Sequence, residues 1–422
     1  MTDLDVAVIG AGVAGLTTAF RLASAGRRVR VFEAADVVGG RMTTVREDGF
    51  LIDTGAEQIP TTGYPQTWSL LGELGIGREQ VPRIGRGIAL WRGRARPGVA
   101  STRGLLTGAG LSVRARLELL RLLRGRFDLE RPEDSTHATV AQACRGDLLD
   151  YLCQPVVSGF FGWDASRSAI APFLALLTSI GPASTWRTYR DGMDTLARAL
   201  AERVDVTTSA PVERVVDDGS SARIFVRGAE LSARSVVLAV PAPVVRRVYP
   251  EHGSEFIDAC SFSVVVKAHL LLDRPLGRRD YVVVVPTAEN GTVATIIFDH
   301  LKHPGRAPEN RGLVTVMAHP SVAAELLGAP DAEVAARLVD AAERLVPGLR
   351  AAVGRVVVRR FRHALPEATP RALALRSGFE AGLGGGAVDY AGDWVYLSPC
   401  SEAAVRSGVR AARRLARKEE RV

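Results

Sequence analysis

The hydrophobic pattern opens on Leu4–Ile9, a run with one polar member, Asp5, as a strand buried on both faces of a parallel sheet requires. Helical spacing follows over Leu16–Ala25 and is stopped by Gly26. A second apolar run, Arg28–Phe32, ends at Glu33. Further strands are predicted at Val204–Thr208, Val212–Val216 and Arg223–Val226, with Asp218-Gly219 as a hairpin turn, and at Ser235–Val240, closed by Pro241. The first of two insertions reads as helical. The second reads as strands (Phe262–Leu272, Tyr281–Val285, Thr292–Phe298, Leu313–Met317) with a helix near Asp331–Leu345, and Arg355–Phe361 leads back. A last helix is predicted to open around Ser398–Glu402 and run to about Lys418. The predicted fold class is therefore α/β. A discontinuous Rossmann-type nucleotide-binding domain takes residues 1–75, 190–241 and 361–422, and an α+β substrate-binding domain takes 76–189 and 242–360. A chain of 422 residues is long enough for two such cores.

Between the first strand and helix stands Gly10-Ala-Gly12-Val-Ala14-Gly15. Gly10 permits a tight turn, Gly12 lets backbone approach a pyrophosphate, and Gly15 lets helix and strand pack closely. The helix N-terminus then directs free N–H groups and positive dipole at the phosphates. Glu33, 18 residues beyond Gly15, is placed to accept from both hydroxyls of an adenosine ribose, and its charge disfavours NADP.

After Glu33 comes Ala34-Ala-Asp-Val-Val-Gly39-Gly40-Arg41-Met42-Thr-Thr, then Asp53-Thr-Gly55-Ala56. Near the other end stand Tyr390-Ala-Gly392-Asp393-Trp394 and Ser398-Pro-Cys400-Ser401-Glu402. With these motifs the chain resembles the flavin-containing amine oxidase superfamily, which also holds protoporphyrinogen oxidases and phytoene-type desaturases. The resemblance covers nearly the whole chain, most specifically at 6–55, 190–241 and 390–412. It implies non-covalent FAD. Gly39, Gly40 and Arg41 would form a second layer over the pyrophosphate and flavin, flanked by Ala34 and Met42. Val212 would touch adenine through its backbone, and Gly392-Asp393 would bind the ribityl chain. The helix N-terminus at Ser401–Ala403 would face the flavin edge where negative charge builds. Ala403, Ala404, Ser407, Gly408 and Ala411 form a small-residue face expected to let something flat approach.

The resemblance also implies a catalytic candidate. Lys267 interrupts the apolar strand around Val264–Leu272, where a charge is costly to bury, and lysine can lose its proton when desolvated. In the family's amine oxidases a matching lysine holds a water at flavin N5, and Pro275 matches a proline following it. The alternative is a lysine reaching solvent at a strand edge. His269 shares its face by the period of two and is expected to be a satisfied core residue. Two departures stand out. Cys400 occupies the place of an aromatic cage residue, as a packed thiol or a thiolate favoured by the helix N-terminus. Phe361 replaces a tryptophan.

Composition narrows the reading. The formal charge of +8 comes from 54 basic residues, of which only Lys267, Lys302 and Lys418 are lysines, leaving 51 arginines. They are spread along the chain without a nucleic-acid-binding motif, so nucleic acid is not expected. The four cysteines form neither a disulfide framework nor a metal site. The N-terminus lacks the marks of a signal peptide and no apolar run suits a membrane span, so a cytoplasmic location is expected and membrane contact is not. Leu111–Phe127 is amphipathic with five arginines and is expected to be a solvated helix. Phe160, Phe161, Trp163, Trp186 and Tyr189 are candidates for a substrate pocket or for core. The expected activity is dehydrogenation of an organic substrate at a C–N or C–C bond, in secondary metabolism, by hydride transfer to flavin N5 with O2 or another acceptor reoxidising the flavin. A desaturase, a redox-neutral isomerase and a non-catalytic escort protein are the alternatives.

Overall fold

The computed structural model describes residues 2–98, 107, 110–125, 127, 128 and 130–419. Two seven-stranded sheets organise it. In the first, Asp205–Thr207, Val29–Phe32, Leu4–Ile9, Ala229–Leu238, Ala222–Val226 and Val212–Asp217 lie side by side, and Val388–Tyr390 adds to Ala229–Leu238. The long strand Ala229–Leu238 is shared between two pairings. Its first half is antiparallel to Ala222–Val226, through the turn containing Arg227-Gly228. Its second half runs parallel to Leu4–Ile9 and to Val388–Tyr390, with Val236 opposite both Ala7 and Val388. Because Leu4–Ile9, Val29–Phe32, Ala229–Leu238 and Val388–Tyr390 are parallel, their C-terminal ends share one edge. The loops beginning at Gly10, Glu33, Ala239 and Ala391 therefore meet there, where ligands of doubly wound sheets bind.

The helices Val13–Ser24 and Ser401–Glu419 pack together on this sheet. A Cβ on Gly408 would lie 2.5 Å from the Ala14 carbonyl oxygen. At Gly408, therefore, the small face of the last helix meets the backbone of the first.

The second sheet runs Val353–Phe361, Val265–Leu272, Gly312–Ala318, Val293–Phe298, Val282–Val284, Ile88–Arg92, Arg94–Pro97. Its last two strands come from the insertion that reads as helical. Ile88, Ala89 and Leu90 are buried, and Ile88–Leu90 pairs in parallel with Val282–Val284. Leu and Ala carry little strand preference of their own, so the available partner edge decided their conformation. The run predicted over Phe262–Leu272 is split. Ser261–Phe262 pairs with Pro366–Glu367, and Val265–Leu272 enters the large sheet with all eight residues buried. Helix Val113–Leu123 is shorter than its sequence pattern, and its outward face exposes Val113, Leu117 and Leu120 beside its arginines; Arg126 lies outside the described residues. Among the described residues no helix is long and apolar enough to cross a membrane.

Candidate active site

Local geometry at the sheet edge follows from the glycines. Gly10 has φ +105°, and a Cβ on Gly15 would sit 2.0 Å from the Gly10 carbonyl oxygen, so neither position admits a side chain. The space where a Cβ of Gly12 would stand is open to 4 Å. Gly12 caps the helix Val13–Ser24 without a side-chain hydrogen bond, which leaves first-turn N–H groups for a ligand. Gly39 donates its N–H to the Ala11 carbonyl (2.9 Å), laying the Gly39-Gly40 turn directly on the first glycine loop. Open space beside Gly12 together with backbone donors at a helix N-terminus suits a diphosphate.

Glu33 accepts from the Ala11 N–H (2.7 Å) and the Ala35 N–H (2.9 Å) at the end of its strand, so it also fixes the glycine loop. Ala34 beside it is exposed. The Glu33 carbonyl accepts from Ala210 N–H, which draws the start of Val212–Asp217 alongside. Met42 and Val212 are buried, Gly40 is exposed and Arg41 half-buried.

The two chain ends meet at Arg41. Its guanidinium donates twice to Asp393, at 2.7 Å each, and once to the Ala364 carbonyl at 2.9 Å. Its charge is answered by Asp393, the residue expected at the ribityl chain. Gly392 takes φ +149° and donates its N–H to Ser407 Oγ at 2.9 Å, so Ser407 of the last helix holds this turn. Ser401 is half-buried and Ala403 buried at that helix's start. Glu402 does more than suit the local dipole. It accepts from the N–H groups of Gln66 and Thr67 (2.9 Å each) and from Thr67 Oγ1 (2.7 Å), capping the helix Pro65–Glu73.

Lys267 is 4% exposed and does not reach solvent. Its Nζ donates to the Gly55 carbonyl and to Glu57 Oε1, both at 2.7 Å. Gly55 in turn lies against the glycine–arginine turn: its Cβ position is 2.1 Å from the Arg41 carbonyl oxygen, which also accepts from Ala56 N–H. Behind Lys267 lies an ion cluster that sequence reasoning missed. Lys302, fully buried, meets Glu57 Oε2 at 2.7 Å, Asp53 Oδ2 at 2.8 Å and Asp299 Oδ1 at 3.1 Å. Arg306 meets Asp53 at 3.0 Å. Three carboxylates thus face three cations, Lys267, Lys302 and Arg306. Burial pushes the Asp53 carboxyl up, but Lys302 and Arg306 outweigh it and hold the group at about 2. For Asp299 burial prevails over the pull of Lys302 and leaves it at about 6. The signal for this cluster was present: Lys302 is, like Lys267, one of three lysines in an arginine-rich chain.

His269 Nδ1 bonds Thr315 Oγ1 at 2.8 Å, and Thr315 donates to Asp299 at 2.7 Å. Burial, then the nearby Lys267 and Arg359, push the imidazole well down, so it is neutral. Its Nε2 has no partner among the described residues, contrary to the satisfied histidine expected. Burial pushes the Cys400 thiol up against donation from Ser398 and the Ala403 N–H, which favours the packed thiol over the thiolate. Trp163, Trp186 and Tyr189 are core, whereas Phe160 and Phe161 are half-buried. Phe361 packs with Val265, Met317 and Ala364. Two surface cavities of about 380 and 390 Å³ are lined by none of the candidate site residues except where Tyr390 borders the first. Among the described residues no group of three His, Cys, Asp or Glu is arranged to hold a metal.

The chain is similar to known proteins throughout this architecture. A protein of Mycobacterium tuberculosis that carries the name flavin-containing monoamine oxidase AofH is 41% identical over 265 residues, 60% of this chain and 52% of that one. Protoporphyrinogen oxidase 2 of Arabidopsis thaliana is 31% identical over 162 residues, 36% of this chain and 32% of that one. The alignments thus span about half and about a third of these relatives' lengths. Cyclohexylamine oxidase from Brevibacterium oxydans superposes with a TM-score of 0.78 over 99% of this chain and all of its own, at 18% identity, which establishes the fold. The family model of flavin-containing amine oxidoreductases matches residues 13–416. The chain therefore belongs to the flavin-containing amine oxidoreductase family.

Proposed function

We propose that this protein dehydrogenates a small organic substrate at a C–N or C–C bond, with oxygen or another acceptor taking the electrons onward. FAD, when bound, supplies the two-electron acceptance, and the protein supplies orientation and electrostatics. Gly10, Gly12, Ala14 and Gly15 with the helix Val13–Ser24 would hold the diphosphate, and Glu33, Ala34 and the backbone of Val212 the adenosine. Gly39, Gly40, Arg41 and Met42 would cover the middle, and Gly392, Asp393, Ser401 and Ala403 the ribityl chain and flavin. Residues 1–75, 190–241 and 361–422 would then form the FAD-binding domain, with 76–189 and 242–360 around the substrate.

The observation that carries the reading is the position of Lys267. The buried Lys267 side chain is hydrogen-bonded to the Gly55 carbonyl, with Gly55 lying against the Arg41 carbonyl of the glycine–arginine turn. From there it can orient a water or a substrate nitrogen beside the flavin. The reading of an amine substrate is favoured by this lysine, and that of a porphyrinogen-like substrate by Cys400 standing where amine oxidases carry a cage aromatic.

Anaerobic mixing of the yellow holoenzyme with simple amines, and separately with porphyrinogens, tests the proposal. Bleaching of the flavin band by one class, with peroxide formed once air is admitted, is the expected result. Protein that stays colourless after incubation with excess FAD would refute it. Product without bleaching would make it a redox-neutral isomerase.

A further inference from the structure

Glu57 stands between two lysines from different elements. Its Oε1 accepts from Lys267 of the strand Val265–Leu272, and its Oε2 from Lys302 of the short helix Asp299–Lys302, at 2.7 Å each. Lys302 cannot follow Glu57 if that side chain moves, because its remaining protons go to Asp53 and Asp299. Asp53 is itself fixed by Arg306, by Thr44 Oγ1 and by the Met193 N–H. One oxygen of Glu57 is thus anchored to a rigid, fully buried network while the other faces Lys267. A lysine side chain carries about 2 kcal/mol of rotamer entropy, so a fixed counter-charge is needed to keep its Nζ at one point. The Gly55 carbonyl supplies direction and Glu57 supplies the charge.

We propose that Glu57 is the positioning residue for Lys267, with Lys302 as the anchor that holds Glu57 in place. That Lys267 acts beside the flavin rests on the function proposed above; that Glu57 places it does not.

With three lysines in the chain, the position of Lys267 is open to direct measurement. Reductive methylation of the holoenzyme with formaldehyde and cyanoborohydride, read by peptide mass spectrometry, reports each lysine separately. In the wild type Lys267, 4% exposed, is expected to be protected. In Glu57→Gln its methylation is expected to rise about tenfold, corresponding to about 1.4 kcal/mol of lost pairing, while Lys302 stays protected. Glu57→Asp keeps the carboxylate one methylene short, should give an intermediate rate, and serves if Glu57→Gln does not fold.

Anaerobic flavin reduction supplies the second readout. Lys267→Met and the double variant Glu57→Gln/Lys267→Met should reduce at the same rate, because Glu57 acts through Lys267. Wild-type labelling of Lys267 in the Glu57 variants, or losses that multiply in the double variant, would overturn the proposal. If Lys267→Met alone leaves flavin reduction unchanged, the role of Lys267 at the flavin fails, and the labelling still decides whether Glu57 places it.

Discussion

Arg41 and Asp393 lie 352 positions apart in the chain and are joined by two hydrogen bonds of 2.7 Å. The Asp393 side chain is 4% exposed and that of Arg41 31%. This bidentate pair ties the N-terminal turn to the C-terminal one. Arg41→Lys keeps the charge but loses the planar fork, and Asp393→Asn loses the charge. Both should weaken FAD binding about tenfold to a hundredfold in a fluorescence titration of apoprotein. Arg41→Met, which strands a buried carboxylate, should also lower stability by about 3 kcal/mol. FAD affinity unchanged in all three variants would remove the pair from the site.

Lys302 is enclosed in the cluster, its side chain wholly shielded from solvent. Its replacement by Met leaves Asp53, Glu57 and Asp299 facing only Lys267 and Arg306. A loss of about 3–5 kcal/mol in urea unfolding is expected, because an unbalanced charge remains in the interior. A change within about 0.5 kcal/mol, the range of surface substitutions, would show that the cluster is not held by its charge balance.

Two aspartates of the cluster give opposite pH dependences. Asp53, held at about 2 against an ordinary 3.8, contributes stability that is lost as pH falls through that interval. Asp299, raised from 3.8 to about 6, stays protonated in the folded state where the unfolded chain has ionised. The folded form binds the extra proton, so this contribution to stability declines as pH rises from about 4 to about 6. Thermal melts of Asp299→Asn between those values should therefore be flatter than those of the wild type. Parallel curves for the two proteins would place the titration elsewhere.

Gly408 marks the closest approach of the first and last helices. A valine there would drive its side chain into the Ala14 carbonyl and Thr17. Overpacking of this kind costs about 1–3 kcal/mol, and because Ala14 belongs to the glycine loop's helix, FAD binding should weaken with it. Differential scanning calorimetry with and without added FAD separates the two effects. Full stability in Gly408→Val would mean that the helices slide apart freely.

Much of this arrangement was legible one segment at a time. Leu4–Ile9 was readable to the residue because five of its six residues are apolar, as a doubly buried strand requires, and Gly10 and Gly15 because their spacing after that strand is the one a nucleotide-binding turn needs. The strands Ile88–Arg92 and Arg94–Pro97 were not readable, since their apolar and arginine residues suit a helix equally until the edge of Val282–Val284 is present to pair with them. The role of Lys302 was not readable although its rarity matches that of Lys267, because its partners Asp53 and Glu57 lie 249 and 245 positions away in the chain.

The linear order of residues settled the two-ended nucleotide motif, the family and the oddity of Lys267 in an apolar strand, all of which depend on local spacing or on a residue's own chemistry. Folding alone decided the partners: that Arg41 faces Asp393, that Glu402 caps a helix more than 300 residues upstream, and that Lys267 sits against Glu57 and not in solvent. Charges pair at distances of a few ångströms in space, and no pattern along the chain specifies which distant segments come that close.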